Sequence, residues 1–305
     1  MPLLTVGLPV YNAMPYLPEA VESILHQDYT DFILVIVNDG STDESRACLE
    51  SLTDSRIRLY HQDNRGLGDT LNRILGLCNT KYLARMDADD TVAHDRLRKQ
   101  IAFLETHPEV ALLGTQIMFR VGDKLFCGAR VPEDHEGIVR MLSKGAAGVS
   151  HASCVLRTET AKGISGYRLR REGEDIDFLL RMCEVAEVAN LPEALYYIRL
   201  SPGSLTWTRR DEINRGYAYG LSCARCRRMH LSEPSLEEFC YKWEHRSTIL
   251  RAGGFVKGWA DNQYRKALLE EGTGHSARSW VRKSIAGLCN PKKGYSYLRR
   301  LLRYG

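Results

Sequence analysis

What this 305-residue sequence lacks narrows its function first. No stretch approaches the ~20 consecutive apolar residues of a membrane-spanning helix; the runs are short, such as residues 32–37. No basic residue precedes the apolar start of MPLLTVGLPVYN and no small-residue cleavage site follows it, so a secretory signal is not expected. No G-x-G-x-x-G follows the first apolar segment and no Walker loop occurs, which argues against a dinucleotide cofactor and a P-loop NTPase. Only one CxxC pair occurs, Cys223 and Cys226. His230, Cys240 and His245 lie downstream of it, but half a zinc motif is weak support for zinc. The nine cysteines are scattered and odd in number, so reduced thiols are expected. No acid follows Glu271.

That last absence belongs to a charge gradient. Residues 206–305 hold 20 of the 42 Lys and Arg but 9 of the 38 Asp and Glu, a net of +11 against −7 elsewhere. With 44% hydrophobic and 26% charged residues the chain as a whole reads as globular.

What is present begins with alternating strand and helix patterns. Residues 3–8 form an apolar run stopped by Pro9. Residues 15–27 carry Leu17, Ala20, Val21, Ile24 and Leu25 at helical spacing. Residues 32–37 are wholly apolar, as in a strand buried on both faces. The Asn38–Ser41 stretch is turn chemistry, and Ser41 or Thr42 is a candidate cap for a helix starting near Asp43. A strand is expected over 56–60, a helix over 67–78, and a strand over 81–86 that ends at Asp87. Further on, helices are expected over 94–106, 133–142 and 174–185. Strands are expected over 110–119, 124–131 and 194–200, followed by a helix-rich, basic region over 206–305. This alternation predicts an α/β fold with a mostly parallel, Rossmann-like sheet and helices on both faces.

In such sheets ligands bind beyond the carboxyl ends of the strands. Three polar clusters fall there: Pro9-Val10-Tyr11-Asn12, Asn38-Asp39-Gly40-Ser41 and Asp87-Ala88-Asp89-Asp90. Carboxylates alone repel a diphosphate, so an acidic nucleotide pocket requires a cation, and Mn²⁺ or Mg²⁺ suits carboxylate plus phosphate oxygens. The bland alternative is that Asp89-Asp90 caps the next helix. Asp39 reads equally as an ordinary Asx turn and Tyr11 as a core aromatic. Glu174 and Asp175 start a helix, where acids complement the dipole. A carboxylate placed there is also suited to take a proton from an attacking hydroxyl, and Asp175 is the stronger candidate over Asp177.

The segments LPVYNAMPYLPEAVESILHQ, IVNDGSTDES, NRGLGDTLNRIL, YLARMDADD, RLRKQIAFLETHPEVALLGT, HASCVLR, GISGYR and GEDIDFLLR resemble the family-2 glycosyltransferases of GT-A fold over about residues 3–200. The resemblance implies a GT-A domain over 1–205, with a nucleotide-sugar half to about 90 and an acceptor half over 91–205. A basic helical region over 206–305 would follow. It implies an inverting, metal-dependent transferase using a nucleotide-sugar donor, usually a UDP-sugar, and a glycan or lipid-linked acceptor. Pro9, Tyr11, Asn12 and Asp39 match the nucleobase cradle. Arg65, Asn72, Arg85, Asp87 and Ala88 are assigned with them to the donor. Asp89 and Asp87 match the metal-binding acids, Asp175 with Glu174 the catalytic base, and His151 and Asp177 the acceptor side. Asp69-Thr70 depart from the small residues usual before Asn72, and the Q-x-x-R-W element of processive members is absent, which implies single-sugar transfer. Two alternatives stay open: an inactive glycosyltransferase-like scaffold, and a sugar nucleotidyltransferase, which lacks its expected glycine-rich basic loop here.

Residues 272–305 place Trp280, Val281, Ile285 and Leu288, then Tyr295, Leu298, Leu301 and Leu302, among basic residues. Such a segment suits either an anionic membrane surface or a solvated helix pair. The expectation is a cytoplasmic protein at the inner face of the membrane, without nucleic acid as a partner because no reading module accompanies the basic charge.

Overall fold

A computed structural model of the chain describes residues 2–169, 173–200, 210–245, 263, 266–270 and 282. Nine strands among these residues share one sheet: β1 (Leu4–Val10), β2 (Phe32–Asp39), β3 (Ile57–Gln62), β4 (Tyr82–Arg85), β5 (Thr91–Val92), β6 (Val110–Val121), β7 (Lys124–Cys127), β8 (Val155–Arg157) and β9 (Glu187–Arg199). The order is β3-β2-β1-β4-β8-β6-β9-β5, with β7 paired to β6. The pairs β3-β2, β2-β1 and β1-β4 are parallel. Beyond β4 the pairs β4-β8, β8-β6 and β9-β5 are antiparallel. The helices are α1 (Leu17–Leu25), α2 (Ser45–Glu50), α3 (Leu67–Leu77), α4 (Arg96–Thr106), α5 (His135–Leu142), α6 (Thr158–Gly163), α7 (Glu174–Val185), α8 (Arg210–Arg228) and α9 (Leu236–Glu244).

The side-chain alternation of β2 explains the two layers. Leu34 and Ile36 enter one core with Leu17, Val21 and Ile24 of α1 and Leu97, Ile101 and Leu104 of α4. Val35 and Val37 enter the other, with Leu71, Ile74 and Leu75 of α3 and Ile176, Phe178 and Leu179 of α7. Each such buried branched side chain contributes about 1.5–3 kcal/mol relative to exposure. On β1, Gly7 faces α3; a Cβ there would lie 2.5 Å from Ile74 Cγ2.

Pro9 does not stop β1. The Met86 amide donates to Gly7 O, so Gly7 and Pro9 both point their main-chain groups toward β4. The β1-β4 register ends at Gly7 opposite Arg85, and the donor that proline lacks falls past the ladder. Helix α2 starts at Ser45, and neither Ser41 nor Thr42 caps it. The Asp89-Asp90 pair does not cap α4, because β5 intervenes and the helix begins after Asp95.

Two compact units are distinguished. One comprises Met1–Met118, Cys127–Ile198 and Asn214–Pro234, and holds both cores. The other draws on Phe119–Phe126, Arg199–Ile213 and Ser235–Gly305. In it Val121, Leu200 and Leu268 are buried with Phe119, Phe126 and Leu269 around them. Ser235 caps α9 by accepting from the Glu238 amide at 3.1 Å. Within the basic segment Arg282 donates to Glu270 at 2.8 Å and to Gln263 at 2.5 Å; the rest of 272–305 lies outside the described residues, as do Thr206–Arg209.

Candidate functional site

Parallel pairing sets the carboxyl ends of β1, β2 and β4 side by side, with Val10 opposite Asn38 and Gly7 opposite Arg85. Asn12 lies just past β1 at φ +49°, a conformation asparagine tolerates better than most residues. Its side-chain oxygen accepts from the Thr42 amide at 2.8 Å, and its own amide donates to Ser41 Oγ at 3.1 Å. Asn12 therefore clasps the turn after β2, and its neighbour Tyr11 is left half exposed. Pro9 is buried within the strand.

Asp39 is buried at the end of β2. One oxygen accepts from the Arg65 amide at 2.8 Å and from Gln62 Nε2 at 2.7 Å; the other accepts from the Gly66 amide at 2.9 Å. A carboxylate aimed at two successive amides fixes the loop ahead of α3. Gly66 enters that loop at φ +94°. Arg65 meets Asp39 through its main chain and exposes its side chain.

At the end of β4, Arg85 is buried and its Nη2 lies 2.9 Å from Asp87 Oδ1. Burial works against the Arg85 charge, but Asp87 more than restores it and raises the guanidinium above its ordinary value. Among the described residues its Nε is buried without a hydrogen-bond partner, and Arg85 borders a small cavity together with Gly7, Leu71, Ile74 and Tyr167. The Asp87 amide donates to Tyr196 Oη at 3.0 Å. Burial, then Asp90 and Asp87, push that phenol well up, so it stays protonated. Arg96 is buried beneath, 5.1 Å from the Tyr196 ring centre, and donates to Arg85 O at 3.0 Å. Asp87 and Asp89 are partly exposed, whereas Ala88 and Asp90 are buried.

The second acid pair opens α7. Gly173 precedes it at φ +89°, and Glu174 and Asp175 occupy its first turn. Burial raises Glu174 to about 7, with the Asp175 charge adding to the effect. Burial also raises Asp175, against the pull of Tyr217 Oη, which donates to Oδ2 at 2.7 Å, and of the Ile176 amide, which donates to Oδ1 at 2.8 Å. Arg85 acts on both acids, and Asp87 acts on Glu174. The ends of β4 and α7 therefore share one electrostatic field through Arg85.

Three expected site residues have other partners. Asp177 is fully buried and ion-paired to Arg168 and, at 2.9 Å, to Arg181. Those ion pairs tie it into the fold. His151 is buried against Tyr167 Oη at 2.8 Å, and burial together with Arg85 holds its ring well below the usual range. It is a neutral core histidine. Asn72 donates to Tyr167 O at 2.7 Å and accepts from the Tyr167 amide at 2.8 Å, so its amide braces that turn at both ends. Tyr196 and Tyr217 were not expected. They lie far along the sequence from Asp87 and Asp175, and the only local signal is the Gly216-x-x-x-Gly220 spacing beside Tyr217, which marks a close helix crossing.

Among the described residues no group of three His, Cys, Asp or Glu is arranged to hold a metal. Asp87 and Asp89 still fit a hard cation of the Mg²⁺ type, which takes one or two carboxylates and completes its shell with ligand phosphates and water. Burial pushes the Cys223 thiol up to about 11.

Comparisons with known proteins follow this geometry. The family model Glycosyl transferase family 2 matches residues 5–160. EpsE of Bacillus subtilis (strain 168) is 33% identical over 283 residues, covering 87% of this chain and 94% of that protein. An uncharacterized glycosyltransferase of Haemophilus influenzae is 31% identical over 212 residues, covering 67% and 76%. The crystal structure of S. aureus TarS 1–349 in complex with UDP-GlcNAc superposes with a TM-score of 0.59 at 16% identity, covering 93% of this chain and 91% of that one. The mannosyltransferase PcManGT from Pyrobaculum calidifontis, in complex with GDP-Man and Mn²⁺, gives 0.56 at 18%, covering 99% and 80%. The two structural likenesses show a shared fold.

Proposed function

The chain belongs to glycosyltransferase family 2, and on that premise we propose that it moves a single sugar from a UDP-sugar to a hydroxyl of a glycan or lipid-linked acceptor, with inversion at the anomeric carbon. The observation that carries this reading is the pair of acid clusters that both feel the Arg85 charge: Asp87 at the end of β4, paired to it, and Glu174 with Asp175 at the start of α7. Transfer needs one acidic group to hold the donor and another to receive a proton. The arrangement supplies both in one field.

In this reading Tyr11 and Asp39 take the nucleobase, with the loop at Arg65 held in place by Asp39. Asp89 and Asp87 would hold Mn²⁺ or Mg²⁺, which when bound supplies positive charge against the donor diphosphate. That TarS was solved with UDP-GlcNAc and PcManGT with GDP-Man and Mn²⁺ supports a nucleotide-sugar donor and a divalent cation here. Asp175 takes the proton of the acceptor hydroxyl as its oxygen attacks the anomeric carbon opposite the leaving diphosphate. Burial raises both α7 acids, Glu174 to about 7, which makes each a better proton acceptor than an exposed carboxylate. No helix among the described residues is long and apolar enough to cross a membrane. A lipid-linked acceptor would be met at the cytoplasmic membrane face, within assembly of a surface polysaccharide.

A screen of UDP- and GDP-sugars with Mn²⁺ and Mg²⁺ tests this by release of nucleoside diphosphate. The expected result is metal-dependent turnover of one UDP-sugar. Absence of both binding and turnover across the panel would overturn the reading.

A further inference from the structure

The matched family segment ends at residue 160, yet the side chain that grips Asp175 comes from α8, far beyond it. We propose that Tyr217 is a positioning residue for the catalytic base, held in place by a glycine-lined crossing of α8 over the first turn of α7. The proposal rests on the reading of Asp175 as the base.

Three observations carry it. The Tyr217 hydroxyl donates to Asp175 Oδ2 at 2.7 Å while the Ile176 amide holds Oδ1 at 2.8 Å. Both oxygens are gripped, so the carboxylate has one orientation. A Cβ on Gly173 would lie 2.5 Å from the Gly216 carbonyl carbon, and one on Gly220 would lie 3.2 Å from Ile176 Cγ2 and 3.3 Å from the Asp177 amide. A side chain at Gly173 would collide with the Gly216 backbone and one at Gly220 would be tight, and Tyr217 follows Gly216 directly. The same crossing is locked by charge. Arg168 bridges Asp177 of α7 to Glu233 at 2.8 Å, and Arg227 of α8 bridges Glu233 at 2.9 Å to Glu184 of α7 at 2.6 Å. An alternating chain of charges thus runs from α7 to α8 and back.

The chemistry follows from the hydrogen bond. A donor to the charged form of an acid favours that form, so Tyr217 offsets part of the burial that raises Asp175. The other groups facing Asp175 are Glu174 on its own helix, Arg85 at the end of β4 and the Tyr167 phenol. None of these hydrogen-bonds both an Asp175 oxygen and a separate helix, whereas Tyr217 ties the base to α8.

The test uses Tyr217→Phe in the full chain, which keeps the ring and removes the hydroxyl. For sugar transfer, kcat is expected to fall by about tenfold or more with donor KM unchanged, and the acidic limb of the pH profile to move up by about one unit. Wild-type kcat with an unmoved limb would overturn the proposal. A readout independent of turnover is the carboxyl titration of Asp175 followed by carbon-detected NMR in both proteins. It is expected to move to higher pH in Tyr217→Phe, and an unmoved titration would overturn the proposal even if no donor is found. A wild-type chain that neither binds nor turns over any sugar nucleotide would instead sink the function proposed above.

Discussion

The Tyr196 hydroxyl accepts a hydrogen bond from the Asp87 main-chain amide at 3.0 Å, from a position 109 residues away. It fixes the first acid of the Asp87-Ala88-Asp89 turn from the opposite half of the sheet, since β9 carries Tyr196 and β4 leads into Asp87. Tyr196 is fully buried and its ring covers Arg96. Removing the hydroxyl leaves the Asp87 amide without this acceptor. Tyr196→Phe is expected to cost about 1–2 kcal/mol by urea denaturation. It is also expected to weaken UDP binding in the presence of Mn²⁺ several-fold by calorimetry. Unchanged affinity would show that the turn holds its donor geometry without Tyr196.

Asp177 makes a separate prediction. It is fully buried between Arg168 and Arg181, and Arg181 also donates to Ile164 O at 2.5 Å. Removing one charge from such a set leaves a buried guanidinium without its carboxylate, which typically costs about 3–5 kcal/mol. Asp177→Asn is expected to lower the urea midpoint accordingly. If stability stayed at the wild-type level, the buried ion-pair set would not be what holds this region together.

Stability should also respond to pH through Glu174. Its pKa rises from an ordinary 4.5 to about 7 on folding, chiefly by burial. The folded chain therefore binds more protons than the unfolded chain between those values, and stability must fall as pH rises through that window. Above about 7 the penalty is constant, at roughly 3 kcal/mol or less. The raised Asp175 acts with the same sign. Glu174→Gln is expected to flatten the decline and to be the more stable protein at pH 8, as measured by thermal melts across pH. A wild-type curve that rises over the same window would contradict this account.

Much of the frame was legible in the sequence, for physical reasons that particular residues make plain. The wholly apolar run over 32–37 announced a strand buried on both faces, and Leu34 and Val35 do enter opposite cores. The Asn38-Asp39-Gly40 and Asp87-Ala88-Asp89 clusters announced strand ends, which pairing in one register brings together. Local pattern cannot announce long-range partners. Nothing near Asn72 shows that its amide braces Tyr167, or near His151 that its ring is buried against that same tyrosine. Nor does anything near Asp175 point to Tyr217. Pro9 misled for the opposite reason: proline breaks a ladder only where its missing donor faces a neighbouring strand, and here β4 has already turned away.

The central claim is that Asp175 takes the acceptor proton while other residues hold the donor. Asp175→Asn keeps the shape of the side chain and removes its basicity. The decisive measurement is its transfer rate beside its affinity for UDP with Mn²⁺. The account predicts affinity within a few-fold of wild type and a transfer rate lower by about 100-fold or more. Near-normal transfer would contradict it and move the base elsewhere in the crevice.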